Sequence, residues 1–257
     1  MSLINYEVKD RICTITLNRA EKRNALNEEM VTELKAAFVK AETDKKVKVI
    51  VLAAEGNAFC AGADLAYIQQ LQNNSFEENL EDSNHLRGLF QTIYTHPKPV
   101  IAKVHGHAIA GGAGLATVCD FSFIVPEAKM GYTEVRIGFI PAIVLVFLLR
   151  KIGEGKAKEL LLSGELITAE QASAIGLVNR VISADLLDAE VDTFAKSLVQ
   201  NNSGESMART KAMIAKVPEL SLKEGLQYAA EQNAKSRATA DCQKGISNFL
   251  NKEKQQW

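Results

Sequence analysis

Residues 3–8 and 12–17 are β-rich, largely apolar runs on either side of the charged Lys9-Asp10-Arg11, and this predicts an opening β-hairpin. The pattern then changes. Met30, Leu34, Ala37, Phe38 and Ala41 recur at helical spacing behind Asn27, with Glu28 and Glu29 in the first turn, which predicts a helix capped by Asn27. Short β-branched runs follow at 47–53, 99–104, 121–125 and 177–182, separated by stretches of helix-like pattern. Such alternation predicts an α/β domain of stacked strand–helix units. The apolar run 142–149 is far below the about 20 residues of a membrane span and reads as a buried helix or strand.

From about Ser183 the strand signals cease, and residues 184–199, 205–217 and 222–240 all read as helices. Ser221 with Glu224, and Thr168 with Gln171, have capping-box spacing. No Pro/Ser-rich linker precedes this region, so it is expected to pack on the main domain or on a neighbouring subunit.

Composition narrows the class. A chain of 257 residues, 47% hydrophobic, suffices for one main core. Its formal net charge of −1 gives no reason to expect nucleic acid over a broad surface, so an anionic partner has to be met locally. The first seven residues show no basic region ahead of an apolar stretch, so a secretory leader is not expected. Cys13, Cys60, Cys119 and Cys242 lack C-x-x-C spacing and sit in apolar or mixed segments. Reduced, buried thiols in a cytoplasmic protein are the expectation, without disulfides or zinc.

Two small-residue stretches carry the candidate chemistry. Gly106-His107-Ala108-Ile109-Ala110-Gly111-Gly112-Ala113-Gly114-Leu115-Ala116 follows one predicted strand and enters a helical pattern; Ala58-Phe59-Cys60-Ala61-Gly62-Ala63-Asp64-Leu65 follows another and does the same. Small residues at a strand-to-helix junction let a ligand approach backbone N–H groups, which suits an oxyanion; they also suit tight helix–sheet packing. Thr117 breaks G-x-G-x-x-G, and Arg150 and Ala157 break a P-loop. His105 and His107 have no accompanying Asp/Glu/Cys cluster, so no metal site is expected.

The stretch Asn18-Arg19-Ala20-Glu21-Lys22-Arg23-Asn24-Ala25-Leu26-Asn27, then residues 58–65, then Lys98-Pro99-Val100-Ile101-Ala102-Lys103-Val104-His105-Gly106 leading to Cys119-Asp120, resembles the crotonase (enoyl-CoA hydratase/isomerase) superfamily. Gly138-Phe139-Ile140-Pro141, Lys156-Ala157-Lys158-Glu159-Leu160 and Ile175-Gly176-Leu177-Val178 agree with it in order along the chain. The resemblance implies an α/β fold, a spiral of ββα units over residues 1–195 that binds acyl-CoA, and a C-terminal helical region, 196–257, that builds a trimer or a dimer of trimers. It further implies an oxyanion hole from the N–H groups of Ala63 and Gly111, and coenzyme A along Lys22, Ala25, Leu26, Ala61, Ala63, Asp64, Leu65, Ala66 and Gly111. No cofactor beyond the coenzyme A of the substrate, no nucleic acid and no membrane partner are implied.

Hydratases of this family carry two glutamates. Here Gly114 stands at the first position and Glu134, in Gly131-Tyr132-Thr133-Glu134-Val135-Arg136-Ile137-Gly138, at the second. One carboxylate above an enolate still suffices to move a proton between carbons, as family isomerases do. Family thioester hydrolases share the Gly/Glu pair but usually add an aspartate where this chain has Ala142. A silent acyl-CoA binding or assembly protein is the non-enzymatic alternative; separately, the non-catalytic reading of Glu134 is a surface carboxylate paired with Arg136 or Lys129.

Overall fold

The computed structural model describes residues 2–255 and 257. Ten strands are assigned among them: β1 (Ile4–Lys9), β2 (Ile12–Leu17), β3 (Val49–Ala54), β4 (Ala58–Cys60), β5 (Val100–Val104), β6 (His107–Ile109), β7 (Phe121–Ile124), β8 (Lys129–Gly131), β9 (Leu166–Thr168) and β10 (Arg180–Val181). They form two sheets, ordered β1-β2-β3-β5-β7-β10 and β4-β6-β8-β9. The predicted hairpin is present, pairing Ile4 with Leu17 and Lys9 with Ile12. From β2 through β10 the larger sheet is parallel. Parallel strands are covered on both faces, which is why β3 reads as a continuous apolar run, β5 as one broken only by Lys103, and both are buried almost throughout.

Each of β3, β5 and β7 is followed at once by a short strand of the second sheet, β4, β6 or β8, and then by a helix. Those helices are α2 (Leu65–Leu71) with α3 (Phe76–Thr95) after β4, α4 (Gly111–Val118) after β6 and α5 (Ala142–Ser163) after β8. The repeat is therefore the ββα unit that the resemblance implied. Ahead of it, α1 (Glu28–Thr43) starts where expected: Asn27 accepts from the Met30 N–H at 3.0 Å, and the periodic residues Met30, Leu34, Ala37, Phe38 and Ala41 are buried.

Several expectations need correction. The strand expected over 177–182 shrinks to β10, because Leu177 and Val178 instead turn back to the Ala172 carbonyl. Cys13, Cys60 and Cys119 are buried, but Cys242 is only half-buried. The run 142–149 is helical, as one of its two readings had it, but only partly buried: it opens α5 with Val144 and Leu148 inside and Val146 and Leu149 exposed, and α5 has a non-helical break at Gly153.

The C-terminal part consists of α6 (Ala169–Ala174), α7 (Leu187–Asn201), α8 (Gly204–Lys216), α9 (Leu222–Arg237) and α10 (Ala240–Leu250). Residues 195 and 196 fall inside α7, whose Val191, Ala195 and Leu198 are buried. Both predicted capping boxes form, as does a third, between Ser75 and Glu78 at the start of α3. The helical layer is tied to the core by charge as well as by packing. Lys211 of α8 donates to Asp120 at 2.7 Å, and the same carboxylate oxygen accepts from the Val100 N–H at 2.7 Å. No helix of the described residues is long and apolar enough to cross a membrane.

Candidate active site

The strands β4, β6 and β8 lie side by side and parallel, so the three segments that leave them emerge at one edge of the small sheet. That edge receives Ala63 from β4, Gly111 from β6 and Glu134 from β8. The two small-residue stretches and the candidate glutamate, over seventy positions apart in sequence, are thus brought together by consecutive turns of the spiral.

Ala63 is aimed by a single parallel bridge to Leu26. Its neighbours make the bonds: Leu26 N–H donates to the Gly62 carbonyl at 2.7 Å, and Asp64 N–H donates to the Leu26 carbonyl at 2.8 Å. Alternation along an extended segment then turns the Ala63 N–H to the opposite side. Gly111 opens α4, where N–H groups have no intrahelical acceptor and the helix dipole favours negative charge. Ala110, at φ 52° and ψ −123°, makes the sharp entry to this helix. A backbone of that kind costs about 1–3 kcal/mol and is kept where geometry matters more than local comfort. The two donors are neighbours: a Cβ at Gly111 would lie 3.8 Å from Gly62 Cα, and one at Gly62, itself at φ +89°, would lie 2.9 Å from Ala110 Cβ.

Behind this edge stands a polar frame. Arg19 pairs with Asp64 at 2.8 Å, both side chains being largely buried, and donates to the Ala25 carbonyl at 3.0 Å. It therefore links the two segments that form the Leu26–Ala63 bridge. Asn24, fully buried, accepts from the Arg19 N–H and donates to the carbonyls of Glu55 and Ala58. Asp64 also caps α2 through the Ala66 N–H at 3.0 Å. Burial alone would raise the Asp64 pKa; the Arg19 guanidinium and the Ala66 and Tyr67 N–H groups outweigh it and hold the carboxyl below its usual range.

Glu134 begins a short 3-10 turn next to Tyr132, whose hydroxyl is fixed against Thr117 in the core at 2.7 Å. Its Oε2 is buried and has no hydrogen-bond partner among the described residues. No ion pair with Arg136 or Lys129 forms there, so the surface-pair alternative does not hold. Burial raises the Glu134 pKa, which its own backbone only partly counters. A cavity of about 540 Å³ is lined by Leu26, Ala61, Ala63, Leu65, Gly111 and Glu134, by apolar groups of α2, α3 and α5, and by polar groups of α1, α2 and α3 that include Glu28, Tyr67, Asp82 and His85.

Of the other residues expected to meet coenzyme A, Lys22 is exposed on the loop before α1, Ala25 is buried behind the bridge, Asp64 is engaged by Arg19, and Ala66 is exposed in the first turn of α2. None of these four lines the cavity. His105 and His107 are tied to backbone, at Gly56 and Lys129, and no metal-holding cluster occurs among the described residues.

Sequence reasoning missed the frame of Arg19 and Asn24, although both lie in the motif it singled out. It also missed Phe90 and Val144, which close the cavity over Gly114. A Cβ on Gly114 would come within 2.2 Å of Val144 Cγ1 and 3.0 Å of Phe90 Cε1. The position where family hydratases carry their first glutamate is filled by side chains of α5 and α3.

Known proteins agree with this architecture. The enoyl-CoA hydratase/isomerase family profile matches residues 7–257. A Thermus thermophilus protein provisionally named an enoyl-CoA hydratase is 42% identical over 244 residues, covering 95% of this chain and 96% of that protein. The crotonyl-CoA hydratase of Syntrophomonas wolfei is 33% identical, covering 98% and 96%. The crystal structure of an enoyl-CoA hydratase from Mycobacterium smegmatis superposes with a TM-score of 0.92 at 31% identity, over 99% of this chain and 98% of that one. Spiral fold, converging loops and whole-length similarity lead to one conclusion: the chain belongs to the enoyl-CoA hydratase/isomerase family and is an enzyme of acyl-CoA metabolism.

Proposed function

We propose that the chain binds an acyl-CoA thioester with its carbonyl oxygen between the N–H groups of Ala63 and Gly111, and that Glu134 shuttles a proton between carbons of the resulting enolate. The observation that carries this reading is the buried, unpartnered Oε2 of Glu134 in the cavity that also takes in Ala63 and Gly111. An unpaired buried carboxylate oxygen costs stability, and a site that tolerates it has a use for it.

In a 3-enoyl thioester the Glu134 carboxylate removes a proton from the α-carbon, and the electron pair delocalises into a dienolate whose oxygen carries the charge. Two fixed backbone donors stabilise that charge by about 3 kcal/mol each, at no reorganisation cost. The protonated glutamic acid then delivers the same proton to the γ-carbon, which leaves the 2-enoyl isomer. A raised Glu134 pKa suits both halves of the step.

Hydration is the second reading, favoured by relatives such as the S. wolfei crotonyl-CoA hydratase. It requires a water held by more than one polar group. At Gly114, where family hydratases carry their first glutamate, the wall is Val144 and Phe90, which offer no such partner. This supports isomerisation over efficient hydration. Coenzyme A lies along Leu26, Ala61, Ala63 and Leu65 in this reading, with Lys22 reaching its phosphates. Residues 196–257 assemble the subunits.

A single panel tests the assignment: purified protein with 2-enoyl-, 3-enoyl- and 3-hydroxyacyl-CoA, followed for isomerisation, hydration and free thiol. Conversion of 3-enoyl to 2-enoyl thioester, faster than water addition, is expected. Predominant hydration transfers the assignment to the second reading, and predominant thiol release refutes both.

A further inference from the structure

A second cavity, of about 840 Å³, lies under the C-terminal helices, bounded by α7, α8, α10, the C-terminal ends of α3 and α4 and the first half of α5. The same faces of three helices line both cavities. Along α3, Leu86 and Phe90 line the first and Tyr94 the second, one turn apart at each step. Along α4, Gly111 lines the first and Val118 the second, with Gly114 between them. Along α5, Val144 lines the first, and Phe147 and Lys151 the second. An aromatic pair spans the boundary, since Phe90 lines the first cavity and Phe147 the second. Phe90 stacks on Phe147 with centroids 5.9 Å apart and planes at 25°, and Tyr94 backs Phe147 at 5.2 Å.

We propose that the second cavity is an extension of the acyl site, and that the Phe90–Phe147 pair, with Val144, is the stop that sets how long an acyl chain the enzyme accepts. This rests on the reading of the first cavity as an acyl-CoA site. The occupant is the distal hydrocarbon of the same substrate, because the corridor starts at the proposed oxyanion hole and its walls at the constriction are apolar. Most charged groups in the chamber are engaged: Lys151 donates to the carbonyls of Thr117 and Cys119 at 2.9 and 3.0 Å, Lys211 to Asp120, and Asp241 accepts from the Ser203 hydroxyl, while Arg150 also lines it. Tyr94, Phe121, Phe147, Met207, Ile214 and Ile246 are left to receive methylenes. With the stop closed the native enzyme selects short acyl chains; trimming it admits long ones.

Binding of saturated acyl-CoAs tests this without any turnover. Affinities of the full-length protein for butyryl-, octanoyl-, dodecanoyl- and hexadecanoyl-CoA are measured by calorimetry, for the parent, Phe147→Ala and the milder Phe147→Leu. In the parent, affinity is expected to stop rising beyond a short chain. In Phe147→Ala the dodecanoyl-to-butyryl affinity ratio should rise at least tenfold, since each methylene that enters apolar space adds about fourfold; Phe147→Leu should give an intermediate rise. An unchanged ratio in folded variants overturns the proposal, and so does a parent whose affinity climbs steadily to hexadecanoyl-CoA. If Phe147→Ala does not fold, Phe147→Leu decides by the same ratio. Failure of the underlying reading looks different: no acyl-CoA of any length binds.

Discussion

Restoring a side chain at residue 114 probes how α4 packs against α3 and α5. In Gly114→Ala the new Cβ would lie 2.2 Å from Val144 Cγ1, 3.1 Å from Val144 Cβ and 3.0 Å from Phe90 Cε1. Rotating a β-branched side chain moves Cγ1 but not Cβ, so α4 and α5 have to separate. Overpacking of this kind costs about 1–3 kcal/mol, and replacing a helical glycine returns about 1 kcal/mol. The upper end applies at so short a contact, which leaves a net loss of about 2 kcal/mol and a fall in Tm of about 4–8 °C for a chain of this size. Val144→Ala alone, which removes two buried methyls and leaves a cavity, should cost about 2 kcal/mol. The double variant should lose no more than either single, because the added methyl occupies the vacated space, giving a coupling of about 2 kcal/mol. Urea unfolding at fixed protein concentration measures all four proteins. Additivity within about 0.5 kcal/mol would refute the packing argument. A corollary concerns activity: Gly114→Glu alone, a simple gain of the second carboxylate when judged from sequence, should disrupt the site. Combined with Val144→Ala it should raise water addition to a 2-enoyl-CoA.

Glu134→Gln should lower turnover by about 10²–10⁴ while barely changing thioester affinity, measured by single-turnover kinetics and calorimetry. Because burial raises the Glu134 pKa, the folded protein holds this proton more tightly than the unfolded chain. That stabilisation is present at low pH and is lost as pH rises through 4.5 to the folded value, so at neutral pH the Gln variant should be more stable than the parent, and the difference should vanish in acid. Turnover of the parent should rise with pH at a midpoint above 4.5; a midpoint at or below it contradicts the role given to burial. Arg19→Met should cost about 2 kcal/mol, less than for a fully dry ion pair, by stranding Asp64, and Arg19→Met/Asp64→Asn should recover at least half of the lost Tm. For assembly, Leu222, Leu226, Phe249 and Leu250 are 81%, 64%, 80% and 73% exposed, an apolar surface that a trimer would cover. Light scattering should give a multiple of three chains that Leu226→Lys/Phe249→Lys dissociates, and a parent of single-chain mass would remove that expectation.

The sequence by itself determined the elements whose signal is local. Two β-rich runs flanking Lys9-Asp10-Arg11 set the β1–β2 hairpin, a 3.6-residue period behind Asn27 set α1, and capping spacing set the starts of α6 and α9. Linear motifs, through their likeness to a family, also led to Ala63, Gly111 and Glu134, which the spiral brings to one edge. The second sheet was beyond local reading: Ala58–Cys60, His107–Ile109 and Lys129–Gly131 are three residues each, too short to show a period, and are strands only because they pair with one another. The polar frame likewise exists only after folding, when Arg19 meets an aspartate forty-five positions away. Gly114 marks the clearest division. Its identity announces a missing carboxylate, whereas the presence of Val144 and Phe90 in the vacated space is decided by how α3 and α5 pack on α4, because a close-packed interior fills the room a glycine leaves.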